Sequence, residues 1–331
     1  MSGMCRVDAG SMGTEEMRTV YCDTMLGLAE KDERIVLLDC DLMGAMGCVP
    51  FRERFPGRAI DCGIQEANMM GVAAGLSAAG KIPFAHTFGV FASRRVMDQV
   101  VISCAYAGQN VKIVGSDPGI TAELNGGTHM AFEDLGVMRG IPEMTVVEPT
   151  DTVMLRELLP QIAARRGCVY LRLVRRCCEN VYRPGSGFEI GRANVLREGT
   201  DAAVFAMGYC VAQSLIAADA LAGEGISVRV VDMFTLKPAD RGEIVRSARI
   251  TGTVVTAENH YIHNGLGSAV AEVLAEEAPV PLTRVGIRDT FGIVGKRDWL
   301  AARFGIDAAA IADAVRKAVR KKKNAEGGMS Q

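Results

Sequence analysis

Short runs of β-branched and apolar residues alternate along the chain with Ala-rich stretches whose apolar positions recur every three to four residues. The runs at 35–38, 111–115, 145–147 and 169–173 read as buried strands, with helical segments between them. Strands separated by helices in this manner predict βαβ units and a parallel sheet. The alternation pauses over 177–197, where Pro184, Gly185, Gly187 and Gly191 fall without periodicity, and this predicts a linker. It resumes with strands at 202–206, 227–232, 253–256 and 282–286, separated by Ala/Leu-rich helices at 211–223 and 267–277. The expectation is an α/β protein of two domains, each a mostly parallel sheet flanked by helices, over residues 1–180 and 198–320. A flexible tail is expected over 321–331, its three lysines ending a solvated helix.

Length and composition agree with that picture and narrow it. The 331 residues are enough for two domains of roughly 150 residues each. Hydrophobic residues at 49% and charged residues at 23% are globular values, which excludes disorder for the bulk of the chain. A net charge of −2 excludes a protein that grips a polyanion through its overall field, so no nucleic-acid partner is expected. No apolar run reaches the roughly 18–20 residues of a membrane span, and residues 1–14 lack the basic-then-apolar order of a signal peptide. The expected location is the cytoplasm. The ten cysteines contain no Cys-x-x-Cys pair, and Cys40, Cys62, Cys104 and Cys210 lie in apolar stretches, as reduced core thiols do.

Candidate chemistry gathers in the first domain. Glu66 follows the turn at Gly63 and opens a helix whose other positions are almost all small or apolar. On local pattern alone its plainer reading is a first-turn acid complementing the helix dipole; a carboxyl so placed is also able to share a proton with a neighbour. Further along come His86-Thr87-Phe88-Gly89-Val90-Phe91, then Arg94 and Arg95, then Ser116-Asp117-Pro118-Gly119, then Asn125-Gly126-Gly127-Thr128-His129. Gly-rich segments that follow parallel strands lie at the carboxyl edge of the sheet, where open α/β proteins bind ligands.

In this order the motifs resemble the pyrimidine-binding and C-terminal domains of transketolases, most closely the small subunit of split transketolases, from about Arg18 to about Lys317. The resemblance is carried by Gly63-Ile64-Gln65-Glu66-Ala67-Asn68-Met69, by Thr87-Phe88 with Phe91, and by Gly127-Thr128-His129 followed by Phe132-Glu133-Asp134. Glu258-Asn259-His260, Gly265-Leu266-Gly267-Ser268-Ala269-Val270 and Asp289-Thr290-Phe291-Gly292 carry it in the second domain. The resemblance implies thiamine diphosphate as cofactor, with Glu66 sharing a proton with the aminopyrimidine ring, Phe88 and Phe91 packing on that ring, and Asp41 and Ile64 also in the cofactor site. It implies a catalytic role for His129 beside Glu66, and substrate contacts from Arg18, His129 and Arg175. Arginine suits a phosphate because its planar fork donates two hydrogen bonds at once.

Departures from the family pattern are specific. The aromatic residue usual after Phe91 falls at Arg94, and a Ser-rich turn is replaced by Met43-Gly44-Ala45-Met46-Gly47, which removes hydroxyls. Asp117 stands for a histidine, Asn125 for an acid that reads the sugar, and His86 for a small residue, so these three are expected in an altered substrate pocket. The expected substrates are a ketose donor and an aldehyde acceptor other than the ordinary pentose phosphate pair. The Gly-Asp-Gly that holds the cofactor's diphosphate through Mg²⁺ or Ca²⁺ occurs nowhere in the chain. The resemblance therefore implies a separate diphosphate-binding partner subunit, matching the transketolase N-terminal section, in an α2β2 heterotetramer. Rival readings are a 2-oxoacid dehydrogenase β subunit, a pyruvate-decarboxylating relative of deoxyxylulose phosphate synthase, and a non-catalytic scaffold.

Overall fold

The computed structural model describes residues 11–328. The first sheet has seven strands in the order β10-β5-β6-β4-β3-β1-β2, built from β1 (Ile35–Asp39), β2 (Ala59–Asp61), β3 (Ile82–Phe88), β4 (Lys112–Ser116), β5 (Thr145–Val147), β6 (Val169–Leu173) and β10 (Thr235–Lys237). All are parallel except β10, which runs antiparallel to β5. The second sheet runs β12-β11-β8-β9-β7, from β7 (Asn194–Arg197), β8 (Ala202–Ala206), β9 (Val228–Asp232), β11 (Val254–Tyr261) and β12 (Leu282–Ile287), with only β7 antiparallel. Each sheet is thus mixed but mostly parallel, with the expected helices on its faces. Strands such as β1, β4 and β6 are buried at every position, as strands covered on both faces must be.

Three expectations change. The linker is not wholly irregular, because its last four residues form the edge strand β7. The domains also exchange an edge: β10 belongs by sequence to the second domain but completes the first sheet, closing an otherwise open strand edge. The helix beginning at Ala308 continues to Gly328, so residues 321–328 are helical rather than a tail; 329–331 lie outside the described residues. Lys322 anchors that helix by donating from Nζ to Thr251 O at 2.9 Å. The nine described cysteines are all free thiols, and Cys5 lies outside the described residues. No described helix is long and apolar enough to cross a membrane.

Buried charge fastens one domain to the other. Arg172, fully buried in β6, donates from Nε and Nη2 to Asp134 at 2.8 and 3.0 Å and from Nη1 to Glu148 at 3.0 Å. Its Nη2 also reaches two carbonyls, Ala131 O at 3.0 Å and Asn259 O at 2.9 Å, the latter from the second domain. The Asn259 side chain answers by accepting from Ile120 N–H and donating to Pro118 O, both at 3.0 Å. Gly119, at φ +55°, leaves room for it, since a Cβ there would sit 2.1 Å from Asn259 Oδ1.

Next to this knot, His260 is held as a neutral imidazole. Its Nδ1–H donates to Tyr261 O at 2.7 Å while Nε2 accepts from Gly136 N–H at 3.2 Å, and burial pushes the ring down to about 4 from its usual 6.5. Below about pH 6.5 the unfolded chain takes up a proton that the native ring refuses, so stability is lost as pH falls from there toward 4. His260→Gln is expected to flatten this acid limb, which has a slope of up to about 1.4 kcal/mol per pH unit. Thermal unfolding of both proteins between pH 4.5 and 7 measures it, and parallel slopes would contradict the assignment.

Candidate active site

Because β1, β2, β3, β4 and β6 run parallel, their carboxyl ends share one edge of the sheet, and the chain leaves that edge through strained turns. Asp41 after β1, Gly63 after β2 and Asp117 after β4 have φ of 60°, 66° and 54°. For the two aspartates this left-handed geometry costs on the order of 1 kcal/mol each. Asp61 accepts the N–H of Asp41 at 3.0 Å and of Gly63 at 2.9 Å through Oδ1, and Asp117 N–H donates to Leu173 O at 3.0 Å. The turns therefore present fixed side chains at the edge.

Gly63 delivers the chain into the helix Glu66–Ala78, and Glu66 stands in its first turn, only 4% exposed. Its Oε1 accepts from Arg95 Nη1 at 2.9 Å. The same guanidinium sits over Phe91, with Cζ 3.8 Å from the ring centroid. Phe91 and Phe88 meet edge to face at 6.1 Å, and His129 closes the triangle, 5.3 Å from each. Over the Phe88 ring sits Arg175, Cζ at 4.9 Å, with its Nε donating to Asp117 Oδ2 at 2.7 Å. Finally Arg175 and Arg18 converge on one carbonyl, donating to Ala45 O from Nη1 at 3.3 and 3.0 Å. Glu66, Arg95, Phe91, His129, Phe88, Arg175, Asp117 and Arg18 thus form one continuous row.

His129 bonds Thr128 Oγ1 through Nδ1 at 2.9 Å. Partial burial holds its ring below the usual imidazole value, the Arg95 and Arg175 charges add to this, and Asp117 opposes it. At neutral pH the ring is therefore a neutral donor and acceptor, suited to passing a proton.

Other expected site residues sit apart from the row. Asp41 is exposed on its turn, Ile64 is 69% exposed beside Glu66, and Asn125 is exposed at the end of the 3-10 turn Gly119–Asn125. His86 does not reach the row: it is fully buried on β3, its Nε2 3.3 Å from Asp39 Oδ2 and its ring edge-on to Tyr21 at 6.3 Å. The reason is register, since His86 shares a strand face with Phe84 rather than standing on the following loop. Arg94, in the place of the missing aromatic residue, turns outward to Glu133 at 2.9 Å. The motif order includes Arg95 but gives it no role, and it does not single out Asp39 or Asp61. The one signal for Arg95 is its place in an arginine pair shortly after the Phe88-to-Phe91 segment, four residues beyond Phe91, in a chain with 5% aromatic residues.

Comparison with known proteins places these features. Residues 14–179 match the family model "Transketolase, pyrimidine binding domain" and residues 191–311 match "Transketolase, C-terminal domain". The chain is 55% identical over 306 residues to a protein of Clostridium sp. (strain MSTE9) named 6-deoxy-6-sulfo-D-fructose transketolase subunit SqwH, covering 92% of this chain and 95% of that one. It is 40% identical to a putative transketolase C-terminal section of Methanocaldococcus jannaschii, over 92% of this chain and 96% of that one. Among solved structures it superposes with a TM-score of 0.85 and 43% identity on one described as "Split gene transketolase, inactive beta4 tetramer", covering 93% of this chain and 99% of that one.

Proposed function

The chain belongs to the transketolase family, and from that premise we propose that it is the pyrimidine-binding half of a two-chain, thiamine-diphosphate-dependent transketolase. It moves a two-carbon ketol unit from an anionic ketose to an aldehyde, and it works only with a separate diphosphate-binding chain, in an α2β2 assembly in the cytoplasm. The observation that carries this reading is the continuous row from Glu66 to Arg18.

The donor set of that row suits one end of the cofactor. Glu66 is a buried carboxyl at a helix N-terminus, and Phe88 and Phe91 offer apolar faces beside it. Among the described residues no group of three or more His, Cys, Asp or Glu is placed to hold a metal ion. The Mg²⁺ or Ca²⁺ that pairs with a diphosphate is assigned to the partner chain, because the sequence holds no Gly-Asp-Gly. When bound, thiamine diphosphate supplies a nucleophilic carbon that carries the ketol unit. Glu66 holds the proton shared with the aminopyrimidine ring nitrogen, and Phe88 and Phe91 orient the ring. His129, neutral and beside both rings, moves the proton of a substrate hydroxyl. Arg18 and Arg175 anchor the anionic end of the sugar, and Asp117, fixed by Arg175, accepts from one of its hydroxyls. Asp41 and Ile64 border the cofactor site and Asn125 the substrate entrance. His86 acts at one remove, holding Asp39 at the end of β1.

Within this proposal the anion held by Arg18 and Arg175 is a terminal sulfonate. A sulfonate carries a single charge and no titratable proton, so two guanidiniums suffice and the hydroxyls absent from Met43-Gly44-Ala45-Met46-Gly47 are not needed. The 55% identical relative, named for a sulfo-sugar, supports the same choice. With the complex reconstituted from both chains, a 6-sulfonated ketose is expected to exceed its 6-hydroxy counterpart in kcat/KM. Arg175→Ala should raise KM for the sulfonated donor roughly 10- to 100-fold, the worth of hydrogen bonds to a charged group. Faster turnover of xylulose 5-phosphate with ribose 5-phosphate would overturn the substrate assignment, and turnover by this chain alone would overturn the partnership.

A further inference from the structure

Arg95 makes the two contacts that the proposed function assigns to the cofactor ring. A protonated aminopyrimidine is planar and cationic, stacks on an aromatic face and hydrogen-bonds to a carboxylate. The Arg95 guanidinium has all four properties: it lies 3.8 Å above the Phe91 centroid and donates to Glu66 at 2.9 Å. A planar cation cannot share both the ring face and the carboxylate oxygen with a second planar cation of the same kind.

Among the described residues, no other hydrogen bond or ion pair ties Arg95 down. Among the described residues Glu66 is its only ion-pair partner, and its side chain is 45% exposed, so a few rotations about its bonds carry it into solvent. Glu66, by contrast, is fixed by burial and by its place in the helix. The moving part of the pair is the arginine.

We propose that Arg95 is a latch that stands in for the cofactor's aminopyrimidine in the uncharged site, and that thiamine diphosphate must displace it from Glu66 and Phe91 to bind. The latch rests on the reading of the site given above and adds regulation to it. Without its partner chain, the protein keeps its buried carboxylate paired and its aromatic surface covered. Loading of the complex then exchanges one cation for another on the same two groups, so the net cost of desolvating Glu66 is not incurred twice.

The test is the affinity of the reconstituted complex for thiamine diphosphate with Mg²⁺, measured by calorimetry, for wild type, Arg95→Gln and Arg95→Lys. Removing an exposed ion pair and a cation–π contact that compete with the cofactor should tighten binding by roughly 5- to 30-fold in Arg95→Gln. Arg95→Lys, which keeps the charge but loses the planar fork, should fall between the two. In a Glu66→Gln background the Arg95→Gln change should lose most of its effect, because the pair is already broken. Binding in Arg95→Gln that is unchanged or weaker than wild type overturns the latch while leaving the cofactor assignment in place. Absence of saturable binding in wild type and variants alike overturns the cofactor assignment and the latch with it.

Discussion

Glu66→Gln leaves the chain folded and assembled but lowers kcat of the reconstituted complex by about 10²- to 10⁴-fold, the range a positioned proton-transfer group contributes. The amide is nearly isosteric with the carboxyl, and the ion pair it removes has a half-exposed partner, so melting should shift by little. What the amide cannot do is hold an exchangeable proton against a ring nitrogen. Steady-state kinetics with the sulfonated donor, beside a thermal melt of the variant, separate the two effects. A variant that retains more than a tenth of wild-type kcat would show that this carboxyl is the first-turn helix acid of the plainer reading. A non-catalytic scaffold would be indifferent to the change in every assay.

The largest effect on stability is expected at Arg172. Arg172→Met preserves much of the side-chain volume but leaves Asp134 and Glu148 buried with no cation, and takes from the Ala131 and Asn259 carbonyls the guanidinium donor they share. Breaking a buried pair by removing one partner costs roughly 3–5 kcal/mol. In a chain of this size that corresponds to a fall of roughly 4–7 °C in Tm. Because Arg172 ties β6 to the end of β11, the variant's melting should also divide into two transitions as the second domain loosens. Neutralising the stranded acids as well, with Asp134→Asn and Glu148→Gln, should recover part of the loss. Calorimetric scans of the three proteins decide the matter, and an Arg172→Met scan that overlays wild type would remove the knot from the account of domain docking.

Legibility differed sharply between residues. The strands at 145–147 and 169–173 were readable because a buried parallel strand needs only an unbroken apolar run, and the helix ending at Glu277 because its period is local. β3 was not readable, although it sits in the middle of its sheet and carries His86 and Phe88. Its sequence, Ile-Pro-Phe-Ala-His-Thr-Phe, contains a proline that removes a ladder donor and two polar residues at fully buried positions. β10 has three residues and is a strand only because β5 offers it an edge. The order of motifs brought Glu66, Phe88, Phe91, His129 and Arg175 into view together, and the structure sets them side by side. The motif order gives no hint that His86 is sealed against Asp39, because a one-residue difference in strand end decides whether a side chain faces the core or the loop.

The sequence by itself determined two α/β units, a carboxylate at the start of a small-residue helix, Gly-rich turns after parallel strands, and the lack of a diphosphate-binding motif. Each of these is a property of neighbours along the chain, set by side-chain periodicity and by turns that need particular residues. Only the tertiary structure decided that Arg95 lies on Glu66, 29 residues away, that Asp39 closes over His86 across 47, that Asp117 meets Arg175 across 58, and that Asn259 reaches Ile120 across 139. Such pairings depend on which strands are adjacent and which faces are covered, and those follow from burying the whole apolar surface at once rather than from any local pattern.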